Sequence, residues 1–154
     1  MKLKNETLSK NFLIYGFGKS GISSLKYLKK KNRCFIFDDD KKKIKNKYKK
    51  FFISKSKLLN NNFDYIVISP GININRCQLS NYLKKNQKKV ITDFDIFYKF
   101  NPEVLTITIT GTNGKSTTSK LLYDILKKHH YDTRLTGNIG NPILEEKRVT
   151  KNTI

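Results

Sequence analysis

Short apolar runs alternate with longer amphipathic segments along this chain of 154 residues. The apolar runs are rich in isoleucine, valine and aromatic residues, as strands that are buried on both faces require. This alternation is typical of an α/β protein that is built on a parallel sheet. The runs that predict strands are residues 12–15, 34–37, 65–69, 89–91 and 104–110, with one more expected near residues 131–135.

Two segments have the hydrophobic period of an amphipathic helix, and each directly follows a glycine-rich loop. In residues 20–31, the apolar positions three residues apart are Ile22, Leu25 and Leu28. In residues 115–129, one helical stripe carries Thr118, Leu121, Leu122, Ile125 and Leu126. The lysine-rich run 41–50 is expected to form a solvated helix face.

Two proline-containing breaks divide the chain. The dipeptide Pro70-Gly71 closes the predicted strand at 65–69, and Asn101-Pro102 precedes the one at 104–110. We therefore expect a Rossmann-like domain in residues 1–92 and the start of a P-loop ATPase-type central domain in residues 93–154. A doubly wound domain needs several more strands than the second segment can supply, so we expect that domain to be incomplete.

The amino-acid composition limits the classes of molecule that the protein is expected to bind. The chain carries 32 lysines and arginines against 12 aspartates and glutamates, for a formal net charge of +20. Lysine is spread along the whole chain without a nucleic-acid-binding motif, so we expect no nucleic-acid partner. We also expect a cytoplasmic monomer without membrane contact, because the sequence shows neither a signal peptide nor an apolar run of membrane-spanning length. Cys34 and Cys77 lack zinc or disulfide spacing and are expected to be free thiols.

Residues 16–21 read Gly-Phe-Gly-Lys-Ser-Gly and fit the pattern G-x-G-x-x-G between a predicted strand and a predicted helix. In this pattern Gly16 allows a tight turn, Gly18 lets the backbone approach an anion, and Gly21 allows close helix packing. Asp38 ends the second strand, where an acidic residue would meet a ribose hydroxyl. These features alone predict a dinucleotide. The same loop serves any diphosphate ligand, and a purely structural turn is the other alternative.

The segment TITGTNGKSTT, residues 108–118, has the chemistry of a second phosphate-binding loop. A strict Walker pattern needs glycine at the position of Ile109, and here the first glycine is displaced to Gly111. The necessary groups are still present, because Lys115 can reach the outer phosphates and the Ser116 hydroxyl can bind magnesium. The segment therefore predicts a nucleoside triphosphate site.

Four motifs together resemble the Mur ligase family of peptidoglycan-building enzymes: GFGKSG at 16–21, SPGI at 69–72, GTNGKST at 111–117 and GNIGNP at 137–142. The resemblance extends over the whole chain in register. Within the family, the motifs are most similar to those of members that add D-glutamate to UDP-N-acetylmuramoyl-L-alanine, since members that add L-alanine typically carry a first loop richer in glycine. The resemblance implies that the first domain holds a uridine diphosphate sugar rather than a dinucleotide.

The resemblance also implies roles for individual residues. The UDP-sugar would be contacted by Gly18, Lys19, Ser20, Asp38, Gly71 and Asn138. Lys19 departs from the apolar residue that the family often has there, and Asn138 would face the muramoyl group unless it only supplies turn geometry. ATP would be bound by Gly111, Thr112, Asn113, Gly114, Lys115, Ser116 and Thr117. Lys115 would be catalytic, neutralising charge on the β and γ phosphates, and Ser116 would hold Mg²⁺.

In the implied reaction, the carboxylate of the UDP-sugar-linked alanine attacks the γ-phosphate of ATP, and the amine of D-glutamate then displaces phosphate from the acyl phosphate. The family's magnesium-binding glutamate and its third domain find no match in this sequence, and Glu145 and Glu146 lie too close to GNIGNP to replace that glutamate. We therefore expect this chain alone to be inactive. Two alternatives stay open: a non-catalytic nucleotide-binding module, and an NAD(P)-dependent oxidoreductase that uses residues 16–21 and leaves the second loop unexplained.

Overall fold

The computed structural model describes residues 10–40, 45–137 and 139–154. The strands are β1 (Asn11–Tyr15), β2 (Arg33–Phe37), β3 (Tyr65–Ile68) and β4 (Val90–Ile91). The α-helices are α1 (Lys19–Leu28), α2 (Lys55–Leu59), α3 (Ser80–Lys85), α4 (Asp93–Phe100) and α5 (Lys115–Lys128). Short 3-10 helices span Asn46–Phe51, Gln87–Lys89 and Ile143–Glu145.

The four strands form one parallel sheet in the order β2-β1-β3-β4. In its register, Leu13 of β1 lies opposite Phe35 of β2 and Ile66 of β3. The order places the ends of β1 and β3 side by side, at the edge where open α/β sheets bind ligands. The predicted α/β, Rossmann-like class is therefore confirmed.

Side chains of β1 alternate between two cores, one on each face of the sheet. Phe12 and Ile14 pack in the first core with residues of α1 and α4, whereas Leu13 and Tyr15 pack in the second with residues of α2 and α3. All four side chains are at most 1% exposed. Burial on both faces explains why the strands read as continuous apolar runs instead of alternating with polar residues.

The first core also includes a distant part of the chain. Ile143 and Leu144, in the 3-10 helix just after the GNIGNP motif, are buried in it. An ion pair of 2.7 Å between Lys26 Nζ and Glu145 Oε1 joins the same 3-10 helix to α1. The segment that follows GNIGNP is thus packed onto the first domain.

The strand predictions at 104–110 and 131–135 are wrong. In the first segment, Leu105 is 58% exposed and Ile107 is 49% exposed, and no neighbouring strand pairs with them among the described residues. In the second, Ile154 N–H donates to Asp132 O at 2.9 Å and Arg134 N–H donates to Ile154 O at 2.8 Å. These two bonds have the pattern of a single pairing between parallel strands, but a strand ladder needs several successive pairings. A strand needs neighbours, and the described second segment does not provide them.

Both predicted helices are confirmed, as α1 and α5. The apolar stripe of α5 is only partly covered, because Leu121 is 60% exposed and Ile125 is 47% exposed. The predicted helix at 41–50 lies partly outside the described residues, and the 3-10 helix Asn46–Phe51 occupies the rest. None of the described helices has the length and apolar character needed to cross a bilayer.

Candidate functional site

The first glycine loop is folded tightly against the end of β3. Gly16 has a φ of +89°, its N–H donates to Phe37 O at 2.9 Å, and its carbonyl accepts from the Ser69 hydroxyl at 2.8 Å. A Cβ added to Gly21 would lie 2.1 Å from Gly16 O. Gly16 is thus needed for a backbone conformation that other residues rarely adopt, and Gly21 for a close approach of α1.

The outer side of the same loop is open. A Cβ added to Gly18 meets no atom within 4 Å, and the same holds for Gly71 in the turn after β3. Gly18 is the N-cap of α1 and makes no side-chain cap, so the first amides of the helix face outward beside the exposed Lys19 and half-buried Ser20. Free amides at a helix N-terminus favour an anion such as a diphosphate.

Asp38 accepts a hydrogen bond from the backbone of this loop. Its carboxylate is 5% exposed and accepts hydrogen bonds from the Phe17 N–H at 2.6 Å and from the Asp40 N–H at 2.8 Å. The carboxylate therefore fixes the backbone of the glycine loop, a role that the sequence pattern did not suggest. Contact between Asp38 and a ribose or uridine stays a prediction.

Asp39 links three neighbouring segments at the same sheet edge. The phenol of buried Tyr15 donates to Asp39 Oδ1 at 2.7 Å, and the Gln78 N–H approaches Asp39 Oδ2 at 3.5 Å. Burial, followed by hydrogen bonding to Cys77 and Asp39, raises the pKa of Tyr15 above its ordinary value. The phenol stays protonated at neutral pH, so it keeps donating this bond.

The second glycine loop leads straight into α5. Gly111 has a φ of +147° and Gly114 has a φ of +76°, and Gly114 caps the helix without a side-chain bond. Lys115 Nζ turns back onto the loop, donating to Gly111 O and, at 3.2 Å, to Thr112 O. A lysine over a loop of free amides is a donor set that suits phosphates.

Other predicted members of this loop surround that lysine. Thr112 and Asn113 lie exposed between the two glycines, and Ser116 and Thr117 are exposed in the first turn of α5. The Ser116 hydroxyl is therefore accessible to a hydrated cation. Among the described residues, no group of three or more His, Cys, Asp or Glu side chains is placed to hold a metal.

One cavity of about 400 Å³ joins the two loops. Its lining includes Ser20, Pro70 and Asp93, which lie at the carboxyl edge of the sheet, and Lys115 and Ser116 of the second loop. Gly137 and Ile139 of the GNIGNP motif also line it. Asn138, the residue predicted to face the muramoyl group, lies outside the described residues. The structure thus brings the two phosphate-type loops to a single space, which neither motif predicts by itself.

Comparison with protein families accounts for both loops. The sequence profile of the MurD-like N-terminal domain of Mur ligases matches residues 10–92, and that of the Mur ligase middle domain matches residues 109–154. The chain belongs to the Mur ligase family. The two family profiles thus cover the first glycine loop and the GTNGKST loop, respectively.

Similar proteins include UDP-N-acetylmuramoylalanine–D-glutamate ligases. That of Rickettsia bellii is 34% identical over 141 residues, covering 89% of this chain and 31% of the relative. That of Clostridioides difficile is 32% identical over 151 residues, covering 88% and 32%. That of Wolbachia pipientis is 32% identical over 152 residues, covering 94% and 30%. The chain thus spans about a third of the length of these relatives.

Proposed function

We propose that this chain forms the nucleotide-binding part of an ATP-dependent ligase that joins D-glutamate to UDP-N-acetylmuramoyl-L-alanine. The single observation that carries the proposal is the cavity shared by Ser20 and Pro70 on one side and by Lys115 and Ser116 on the other. A sugar nucleotide held at the first loop would direct its carboxylate toward a triphosphate held at the second. The names of the relatives support this choice of substrates.

In this proposal the first domain binds and orients the UDP-sugar. The amides of Gly18, Lys19 and Ser20 would hold the diphosphate at the start of α1, with Gly71 allowing the ligand to approach the turn after β3. Asp38 would act through the loop whose Phe17 amide it holds. Asn138 would face the muramoyl group from the GNIGNP loop.

The second loop would bind ATP and neutralise the charge that develops during phosphoryl transfer. The amides of residues 111–114 and of the exposed Thr117 would cradle the phosphates, and Lys115 would leave its loop carbonyls to contact the β and γ phosphates. The exposed Ser116 hydroxyl would hold a Mg²⁺ ion, which when bound would supply further neutralisation of the charge on the transferred phosphoryl group.

Two features of the proposal concern the extent of the chain. We propose a first domain in residues 1–92 and the beginning of the central domain in residues 93–154, which the ends of the two profile matches support. We also propose that the 154-residue chain binds both nucleotides without completing ligation, because it spans about a third of its relatives' length.

Isothermal titration of the chain with Mg-ATP and with UDP-N-acetylmuramoyl-L-alanine tests the proposal. We expect each ligand to bind in the presence of the other, and Lys115→Ala to weaken ATP about tenfold or more while leaving the sugar nucleotide unaffected, since a charge-assisted contact is lost. Lys120→Ala is the matched control, because Lys120 is an exposed lysine of α5 that pairs with Asp124. Mutually exclusive binding of the two ligands would contradict a shared reaction site.

Activity and cofactor class are checked with the same preparations. No phosphate release above the Lys115→Ala background is expected when ATP, the sugar nucleotide and D-glutamate are mixed. Lys115-dependent phosphate release would show that the chain is active alone. NADH that binds tightly and is not displaced by UDP would favour the oxidoreductase alternative.

A further inference from the structure

A buried carboxylate that the loops do not use lies at the wall of the shared cavity. Asp93, the first residue of α4, is 4% exposed and lines the cavity with Ser20, Pro70, Lys115 and Ser116. Its Oδ1 accepts a hydrogen bond from the Phe94 N–H at 3.1 Å. No other hydrogen bond or ion pair of this side chain exists among the described residues.

Asp93 is not needed to cap its helix. Thr92 and Asp95 form a complete capping box, in which Thr92 Oγ1 accepts from the Asp95 N–H at 3.2 Å and Asp95 Oδ2 accepts from the Thr92 N–H at 2.7 Å. A carboxylate that only complements a helix dipole gains little and can stay in water. Asp93 Oδ2 accepts no hydrogen bond among the described residues, so this oxygen is available to a donor that enters the cavity.

The sheet register places Asp93 beside the sugar-nucleotide loop. Val67 of β3 lies opposite Ile91 of β4, and Ser69 and Asp93 each follow that pair by two residues, at the carboxyl edge of the sheet. Ser69 in turn donates to Gly16 of the glycine loop. Asp93 therefore follows the strand next to the one that ends at the SPGI turn, and it lines the same cavity as Ser20 and Pro70.

We propose that Asp93 is a specificity-determining residue that accepts a hydrogen bond from the sugar or peptide portion of the substrate. This inference rests on the proposed function. A carboxylate repels phosphate and cannot donate, so its partner is a neutral donor, a sugar hydroxyl or an amide N–H, that lies beyond the diphosphate. Asp93 thereby distinguishes an extended UDP-sugar from bare UDP.

The test measures the affinities of UDP, UDP-N-acetylglucosamine and UDP-N-acetylmuramoyl-L-alanine for the wild-type chain, Asp93→Ala and Asp93→Asn. We expect Asp93→Ala to bind the muramoyl ligand roughly tenfold or more weakly, the loss typical of a hydrogen bond to a charged group, with UDP unchanged. Asp93→Asn keeps an acceptor and should restore part of the affinity. A parallel loss with UDP-N-acetylglucosamine would place the donor on the sugar, and no loss would place it on the peptide arm.

A matched control separates recognition from helix stability. Asp95→Asn alters the other first-turn carboxylate of α4 and should lower the melting temperature without changing the three affinities. Asp93→Asn should leave the melting temperature unchanged or raise it, because it removes a buried charge. The inference fails if Asp93→Ala binds the muramoyl ligand like wild type, if it loses UDP equally, or if Asp93→Asn is destabilised as much as Asp95→Asn. If the wild-type chain binds no uridine nucleotide, the proposed function fails as well.

Discussion

Two glycines of the first loop, three residues apart, should respond in opposite ways to the same added methyl group. In Gly21→Ala the new Cβ would lie 2.1 Å from Gly16 O, which is 1.3 Å short of the 3.4 Å at which ordinary contact begins. The atom it meets is backbone, so α1 and the loop must separate. Overpacking of this kind costs about 3 kcal/mol, and the better helix propensity of alanine returns about 1 kcal/mol.

We therefore expect Gly21→Ala to lose about 2 kcal/mol of stability, or roughly 4–8 °C in melting temperature for a chain of this size. Gly18 has a φ of −80° and open space at its Cβ position. Gly18→Ala should change stability by less than about 1 kcal/mol, since alanine reduces the freedom of the unfolded chain but is a poorer N-cap than glycine. Its methyl group points into the space reserved for the ligand, so UDP affinity should fall instead.

Urea denaturation followed by circular dichroism, together with UDP titration, measures both effects on both variants. We expect each variant to lose a different property: Gly21→Ala should lose stability, and Gly18→Ala should lose affinity for UDP. Equal stability of Gly21→Ala and wild type would refute the packing argument. A Gly18→Ala variant that binds UDP like wild type would refute the assignment of the open side of the loop to a ligand.

Three further predictions concern the packing and titration of single residues. Leu144→Ala should cost about 2–4 kcal/mol in urea denaturation, because Leu144 lies in the first core. The control Leu121→Ala should stay within about 0.5 kcal/mol, since Leu121 is 60% exposed, and equal losses would mean that the 3-10 helix is not docked. Burial raises the pKa of Cys34 to about 12, so a thiol reagent at pH 8 should label Cys77 first, and Cys77→Ser should react only on unfolding. Hydrogen bonds from Thr153 and Arg134 lower the pKa of Asp132, so its stabilising effect is present above the ordinary carboxyl pKa and is lost as the pH falls through the lower, folded-state value. Hydrogen-exchange protection factors at Arg134 and Ile154 should therefore fall below about pH 4 in wild type, and Asp132→Asn should abolish that dependence.

The strands of the first domain could be predicted from the local sequence pattern, because strands that are buried on both faces are continuous apolar runs. The four runs from 12–15 to 89–91 needed no long-range information beyond their apolar content, and β1 and β3 end at loops that the motifs identify. Helix α4 was missed although its start carries the capping-box signal, Thr92 followed three residues later by Asp95. The shorter helices α2 and α3 lack a comparable apolar stripe, so periodicity does not detect them.

The second segment shows where local pattern is insufficient. Residues 104–110 have the composition of a buried strand. A segment forms a strand only when a neighbouring strand makes hydrogen bonds with its backbone amides and carbonyls. The same limit applies to Asp38 and Asp93. Both are acidic residues that follow a strand, which the sequence shows. Only the folded structure shows that two backbone amides donate to the Asp38 carboxylate and that the Asp93 side chain accepts a single hydrogen bond among the described residues.

The segment after GNIGNP is held by packing that no sequence motif predicts. Ile143 and Leu144 are buried in the first core, so the chain directly after GNIGNP is anchored against α1, whose first turn is the proposed diphosphate site. The accompanying Lys26–Glu145 ion pair is largely exposed to solvent and contributes little, so the apolar contacts provide most of the anchoring. The GNIGNP motif follows the proposed ATP loop in sequence, but Ile143 and Leu144 directly after it pack in the first core, so one core supports both α1 and the chain that leads on from Gly137 and Ile139 of the cavity lining.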